Sequence, residues 1–296
     1  VERDPQVLAG NFILAIDSYT GTAVPVSGGK SYVKAYSPLW IAVIFDDILG
    51  IANGKQMDTS VTPTVTITPQ GKTGISPTTW EWQTTVVSSD TYVAKIDITG
   101  TTGDGEATVS ISGAKDIYGN TMDAFNTTFI IDTLAPSVVK VEVDEDGDTG
   151  LIPKTTDNNG YVQNGERPRV YLTFNESMNS VQYASFTPTG MSAIGITGGN
   201  LEGWQDAANK IYRFRFPSAV SNTTGDGWCA FRLERAIDIA GNNLSSAYTN
   251  SQVFYIDGTA PQTPVITAPT AGSSVDPGSI VTVTLQNPTD TDISYA

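Results

Sequence analysis

Two blocks of this chain recur at a fixed spacing, so the fold must be built from copies of one unit. Thr101-Thr102-Gly103-Asp104-Gly105 returns as Thr223-Thr224-Gly225-Asp226-Gly227, and Lys115-Asp116-Ile117-Tyr118-Gly119-Asn120 answers to Ile237-Asp238-Ile239-Ala240-Gly241-Asn242. Both pairs stand 122 positions apart, from 101 to 223 and from 120 to 242, and Trp82-Gln83 and Trp204-Gln205 keep the same spacing. A closing phrase, Ile131-Asp132-Thr133-Leu134-Ala135-Pro136, returns 125 positions on, from 131 to 256, as Ile256-Asp257-Gly258-Thr259-Ala260-Pro261. A solenoid unit spans only ~20–50 residues. The period here is instead that of one whole β-sandwich, roughly 100 residues or a little more.

The local pattern agrees with an all-β chain. Runs rich in β-branched and aromatic residues (Leu39 to Phe45, Val61 to Ile67, Tyr92 to Ile98, Val138 to Val143, Val170 to Phe174, Ile211 to Phe216) are separated by Gly, Pro, Asn, Asp and Thr clusters. In Val139-Lys140-Val141-Glu142-Val143 the alternation predicts valines toward the core and charges toward water, and in Tyr212-Arg213-Phe214-Arg215-Phe216 it predicts aromatics inward. No stretch carries a sustained helical period. The Ala-Pro pairs mark the joints, because proline stiffens the chain and removes a donor. The expected units are therefore 1–134, with an extra segment over about 1–29, then 135–260, with an acidic insertion at 144–166, then 261–296. The last is too short for a sandwich. It is expected to begin a third unit that the natural chain continues, with strands exchanged into a neighbouring molecule as the alternative.

Composition narrows the chemistry. With no His and one Cys, Cys229, the chain lacks Ser-His-Asp and Cys-His catalytic sets and the usual zinc ligands, and it cannot form an internal disulfide. Cys229 stands between Trp228 and Ala230 in a strand-like run, as a buried small hydrophobe would. A net charge of -15 opposes nucleic acid and anionic membrane surfaces as partners. No apolar run of about 18 residues points to membrane insertion within this segment.

With these residues in view, the chain resembles the bacterial immunoglobulin-like domain repeats of S-layer proteins and large surface adhesins. The resemblance rests on Phe174-Asn175-Glu176-Ser177-Met178, on Asp238-Ile239-Ala240-Gly241-Asn242 and on Asp257-Gly258-Thr259-Ala260-Pro261, and it covers roughly residues 30 to 265. The first unit departs from it, with Phe45-Asp46-Asp47-Ile48-Leu49 for the early phrase and Leu134 where Thr is usual. The resemblance implies tandem immunoglobulin-like sandwiches in an extracellular, cell-surface, non-catalytic protein: an S-layer, filament or adhesin-stalk unit, stabilised by calcium. Its partners would be neighbouring copies of itself or other surface proteins, with a glycan as a further possibility. The alternatives are a glycan- or protein-binding adhesion module and an accessory region of a secreted hydrolase.

The foremost metal candidate is the acidic insertion. Asp144, Asp146 and Asp148 form one arm; Asp157, Asn159 and Glu166 form the other. Calcium takes six to eight hard oxygen ligands, and closely spaced Asp and Asn around a Gly turn could supply them. Read as an EF-hand-like loop, Asp157, Asn159, Gly160, Val162 and Glu166 fall at positions three, five, six, eight and twelve, but Thr155 is a poor first ligand. The other reading is a solvated acidic loop. Asp116/Asn120 and Asp238/Asn242 read as turn-formers, with Gly119 and Gly241 permitting positive φ. Asp132 and Asp257 lie at the joints, with Glu176 and Asp47 as candidates to face them. Trp80, Trp82, Trp204 and Trp228 are expected to plug sandwich ends, with sugar stacking as the alternative.

Overall fold

A computed structural model describes residues 4–18, 20–46, 57–76, 79–83, 90–144, 160–197, 200–221, 223–224, 226–259 and 265–285. The described elements are strands, with no α-helix among them. None is therefore a helix long and apolar enough to cross a membrane.

The first strands are β1 (Gln6–Ile16), β2 (Thr22–Ala23), β3 (Val26–Ser27), β4 (Lys30–Val33), β5 (Tyr36–Asp46), β6 (Thr64–Thr68), β7 (Thr79–Trp82), β8 (Thr91–Ile98), β9 (Gly105–Ser112) and β10 (Phe125–Ile131). They form two sheets, β2-β1-β5-β8-β7 and β3-β4-β10-β9-β6. Then come β11 (Val138–Asp144), β12 (Gly160–Gln163), β13 (Arg169–Phe174), β14 (Met178–Thr187), β15 (Ile194–Gly195), β16 (Leu201–Trp204), β17 (Ile211–Arg215), β18 (Gly227–Asp238) and β19 (Tyr248–Asp257). These form β11-β13-β17-β16 and β12-β19-β18-β14-β15. A separate two-stranded ribbon joins β20 (Ile266–Ala268) to β21 (Thr284–Leu285).

Without the short edge strands, the two sandwiches are the same object. The order β1-β5-β8-β7 over β4-β10-β9-β6 becomes β11-β13-β17-β16 over β12-β19-β18-β14. In each, an early strand runs parallel to the last one, β4 beside β10 and β12 beside β19. The opening segment is thus not an appendage: β1 pairs with β5 as β11 pairs with β13. The equivalence is one of strand position and not of residue identity, so the sequence did not show it.

Alternation builds the layers. In β9, Ala107, Val109 and Ile111 are buried while Glu106, Thr108 and Ser110 face water. In β17, Tyr212 and Phe214 turn inward between Arg213 and Arg215, as their spacing predicts. In β11 the outcome differs. A bulge between Val138 and Lys140 resets the register, so Val138, Val141 and Val143 contact the core while Val139 is 61% exposed. The first core is mainly aliphatic, with Leu39, Ile41, Ile67, Val109, Ile111 and Ile131 around Phe129. The second is aromatic: Phe186 lies 5.1, 5.2 and 5.8 Å from the ring centres of Phe216, Phe231 and Phe254.

The repeated phrases carry repeated jobs. Thr102 Oγ1 accepts the backbone N–H of Thr99, and Thr224 Oγ1 that of Ser221, each at 2.9 Å. Asp104 accepts the backbone N–H of Thr133, and Asp226 that of Gly258, so each carboxylate ties its turn to the closing phrase of its own sandwich. Between them, Gly105 (φ +116°) and Gly227 (φ +129°) need glycine: a Cβ would stand 2.0 Å from Gln70 Oε1 and 2.6 Å from Thr189 Oγ1. Trp82 packs on Tyr92 and Phe45 as Trp204 packs on Tyr212 and Phe174.

Because the cores are separate, damage to one should spare the other. Phe186→Ala is expected to cost about 3–5 kcal/mol and to lower the denaturant midpoint of the second sandwich alone. Urea unfolding of the variant should then split into two transitions, the later one unchanged from wild type.

Candidate metal centre at the joint

The turn after β18 is organised by one buried carboxylate. Asp238 has no exposed surface, and its Oδ1 accepts the N–H of Gly241 at 2.7 Å and of Asn242 at 2.8 Å. Its Oδ2 accepts from Asn242 Nδ2 at 2.8 Å. The φ of +93° at Gly241 makes the bend available to glycine. In the first sandwich, Asp116 holds Tyr118 N, Asn120 N and Asn120 Nδ2 in the same way, with Gly119 at φ +90°. These residues are turn-formers, as expected from their types.

The second turn also reaches across to the first sandwich. Asn242 Nδ2 donates to the backbone oxygen of Asp132 at 2.8 Å, and Lys34 Nζ, just beyond β4, donates to the backbone oxygen of Gly241 at 3.0 Å. On the second side, Asn175 Oδ1 accepts the N–H of Ser137 at 2.7 Å, which pins the chain leaving the joint. Asp132, Glu176 and Asp238 are thereby brought together, with one oxygen of each within 4.8 Å of the others.

Three carboxylates so close resist ionising together. Burial pushes the Asp238 carboxyl up, against the pull of the hydrogen bonds from Asn242 and its neighbours. Burial, then the charge of Asp238, raises Asp132. Glu176 rises most: burial, the charges of Asp132 and Asp238, and a hydrogen bond to Asp132 carry it from the ordinary 4.5 to about 7. The joint can therefore hold a proton between Glu176 and Asp132, or accept a hard cation in its place.

The acidic insertion presents a different picture. Asp146, Asp148, Asp157 and Asn159 lie outside the described residues, as does Asp47. Asp144 is fully buried at the end of β11, where Arg169 Nη1 stands 3.7 Å from its carboxylate. Arg169 also meets Glu202, which is shared with Arg213 and Arg215. Asp144 is thus neutralised within a cross-strand ion network. Glu166 closes a turn, its Oε2 accepting the N–H of Gln163 at 2.6 Å. The EF-hand-like numbering does not survive, because residues 160–163 are strand β12 and Val162 is buried in the core. Asp257 ends β19, at the position that Asp132 holds in the first closing phrase.

Other expectations are settled by packing. Trp80 stacks on Tyr92 at 5.0 Å, and Trp82 donates its indole N–H to Val61 O, so these rings, like Trp204, serve the sandwich. Cys229 is fully buried and its thiol is pushed up to about 12 by that burial, which makes it inert at neutral pH. The sequence offered Glu176 as a candidate to face Asp132 at the joint, but Asp238 read only as a turn-former. No model of a known protein family matches this sequence, and no curated protein matches it.

The sign of the pH effect follows from linkage. Glu176 binds its proton more tightly folded than unfolded, so its contribution is fully present at low pH and is lost as pH rises from about 4.5 toward 7. With chelator present, wild-type thermal stability should decline through that window. Glu176→Gln, which cannot ionise, should flatten the decline.

Proposed function

We propose that the chain is a non-catalytic structural protein of the cell surface: a tandem of immunoglobulin-like sandwiches serving as an S-layer, filament or adhesin-stalk unit, stabilised by calcium. The observation that carries this reading is the joint. One sandwich is fastened to the next by Asn242 to Asp132 and by Lys34 to Gly241, beside a three-carboxylate cluster. An enzyme needs a cleft with convergent reactive groups; a load-bearing array needs stiff, repeatable connections, and this is one.

Several features support the finer assignment. The opening strands divide between the two sheets, and the last strand pairs in parallel with one of them, as immunoglobulin-like sandwiches are built. The ribbon β20–β21 pairs antiparallel, as β1–β5 and β11–β13 do, which suits the start of a further unit. The chain has no histidine, and its lone thiol is buried. Its charge of -15 suits an exterior where divalent cations screen carboxylates. Neighbouring copies or other surface proteins are the natural partners of such a unit.

Calcium that binds only the folded joint must stabilise it, by about 2.7 kcal/mol at a hundredfold excess over Kd. Thermal unfolding should therefore shift upward in calcium and return in excess chelator. The Asp132→Asn, Glu176→Gln double variant should lose the calcium response. A calcium shift that persists in the double variant would move the ion away from the joint, and no shift in wild type would remove calcium from the function.

A further inference from the structure

We propose that the outer face of the β12-β19-β18-β14 sheet is a binding strip for a single chain of a neutral polysaccharide, built on Tyr161, Tyr255 and Trp228. The register sets these rings in a row across three neighbouring strands: Tyr161 lies opposite Tyr255, and Tyr255 opposite Trp228. Their centres are 5.3 and 5.4 Å apart. The residues that follow them, Val162, Ile256 and Cys229, are fully buried, so alternation turns all three rings to the outside. Tyr161 is 61% exposed, and Tyr255 and Trp228 are half-buried.

A cross-strand aromatic pair by itself stabilises a sheet. That accounts for Tyr255, held between two rings, but it leaves most of Tyr161 in water without purpose. The surroundings point to a ligand. Beyond Trp228 on β18, Ala230 leaves a shallow floor with Thr187 opposite, and then Arg232 stands opposite Ser185. Apolar rings beside hydroxyl groups and the Arg232–Glu234 ion pair match a sugar, whose C–H faces stack on aromatics while its hydroxyls seek hydrogen bonds.

The shape and charge choose the class. The row spans two strand spacings, ~10 Å, and is linear, which fits a polymer of rings better than a compact ligand. The row is flanked by Thr187 and Ser185, whose hydroxyls can pair with those of a sugar. A chain of net charge -15 disfavours an acidic polysaccharide. The rings are turned from one another by 48° and 90°, so they suit a twisted free chain and not a flat crystalline surface.

Affinity electrophoresis of the whole chain through gels containing hydroxyethylcellulose, xylan or galactomannan tests this. Wild type should be retarded by at least one of the three. Tyr161→Ala and Trp228→Ala should each weaken binding by about tenfold or more, the loss for one stacked ring. Trp40→Ala, on the outer face of the first sandwich beside Lys95, should bind as wild type does. Tyr161→Ala removes a mostly exposed side chain and keeps the fold, which its thermal transition will show. Absence of retardation in all three gels overturns the proposal, as does wild-type retardation of Tyr161→Ala.

Discussion

Aspartate side chains accepting backbone N–H groups are the constraint on which the rest of this structure depends. A chain without disulfides must close its turns by other means, and here aspartate carboxylates do so at matching places in both sandwiches. Asp104 and Asp226 tie a turn to the closing phrase, and Asp116 and Asp238 fold the bend before the last strand. A hydrogen bond to a charged group contributes about 1.5–3 kcal/mol, and several share each carboxylate at the bends. The joint is a consequence of the same device. Once Asp238 has set its turn, Gly241 O and Asn242 Nδ2 are presented to the first sandwich, where Lys34 and Asp132 meet them.

What could be read in the sequence, and what could not, divides along physical lines. The repeat at 122 was legible because both copies need the same few residues: a carboxylate at the clamp, a glycine where a side chain would collide, and an indole over a tyrosine. The outward Val139 was not legible, because a bulge inserts a residue without any mark in composition. The place of β1 was hidden because its match to β11 is one of strand position and not of residue identity. The joint cluster draws on positions 132, 176 and 238, and the aromatic row on 161, 228 and 255. Both are products of register and sheet order, which local spacing does not carry. Acidic density, by contrast, was visible in the sequence, and of its residues the structure places Asp144 beside Arg169 and Glu166 in a turn.

The joint and the aromatic row place two kinds of chemistry at separate sites on one scaffold. If the joint binds calcium as proposed, a proton and a divalent cation would compete there for the same oxygens, so acidity and hardness of the medium would act on stiffness through one set of groups. The aromatic row stands on the outer surface of a sheet, built from rings and not from carboxylates. In the proposed reading, attachment and rigidity are therefore controlled independently.

The parallel pairing of an early strand with the last one has a mechanical consequence. Tension that reaches β4 or β12 acts against the last strand of the sandwich, and because the two run the same way, it tries to slide one along the other. All the hydrogen bonds between them then bear the force at once, whereas an antiparallel hairpin pulled from its open end would lose its bonds in succession. The two sandwiches differ in this respect: β4 meets β10 over two residue pairs, from Ile130 opposite Tyr32 to Ile131 opposite Val33, and β12 meets β19 over four, from Gly160 opposite Phe254 to Gln163 opposite Asp257. With fewer pairs the first sandwich would be the first to yield, so in the proposed reading a filament of such units would lengthen in steps and keep its stronger links intact.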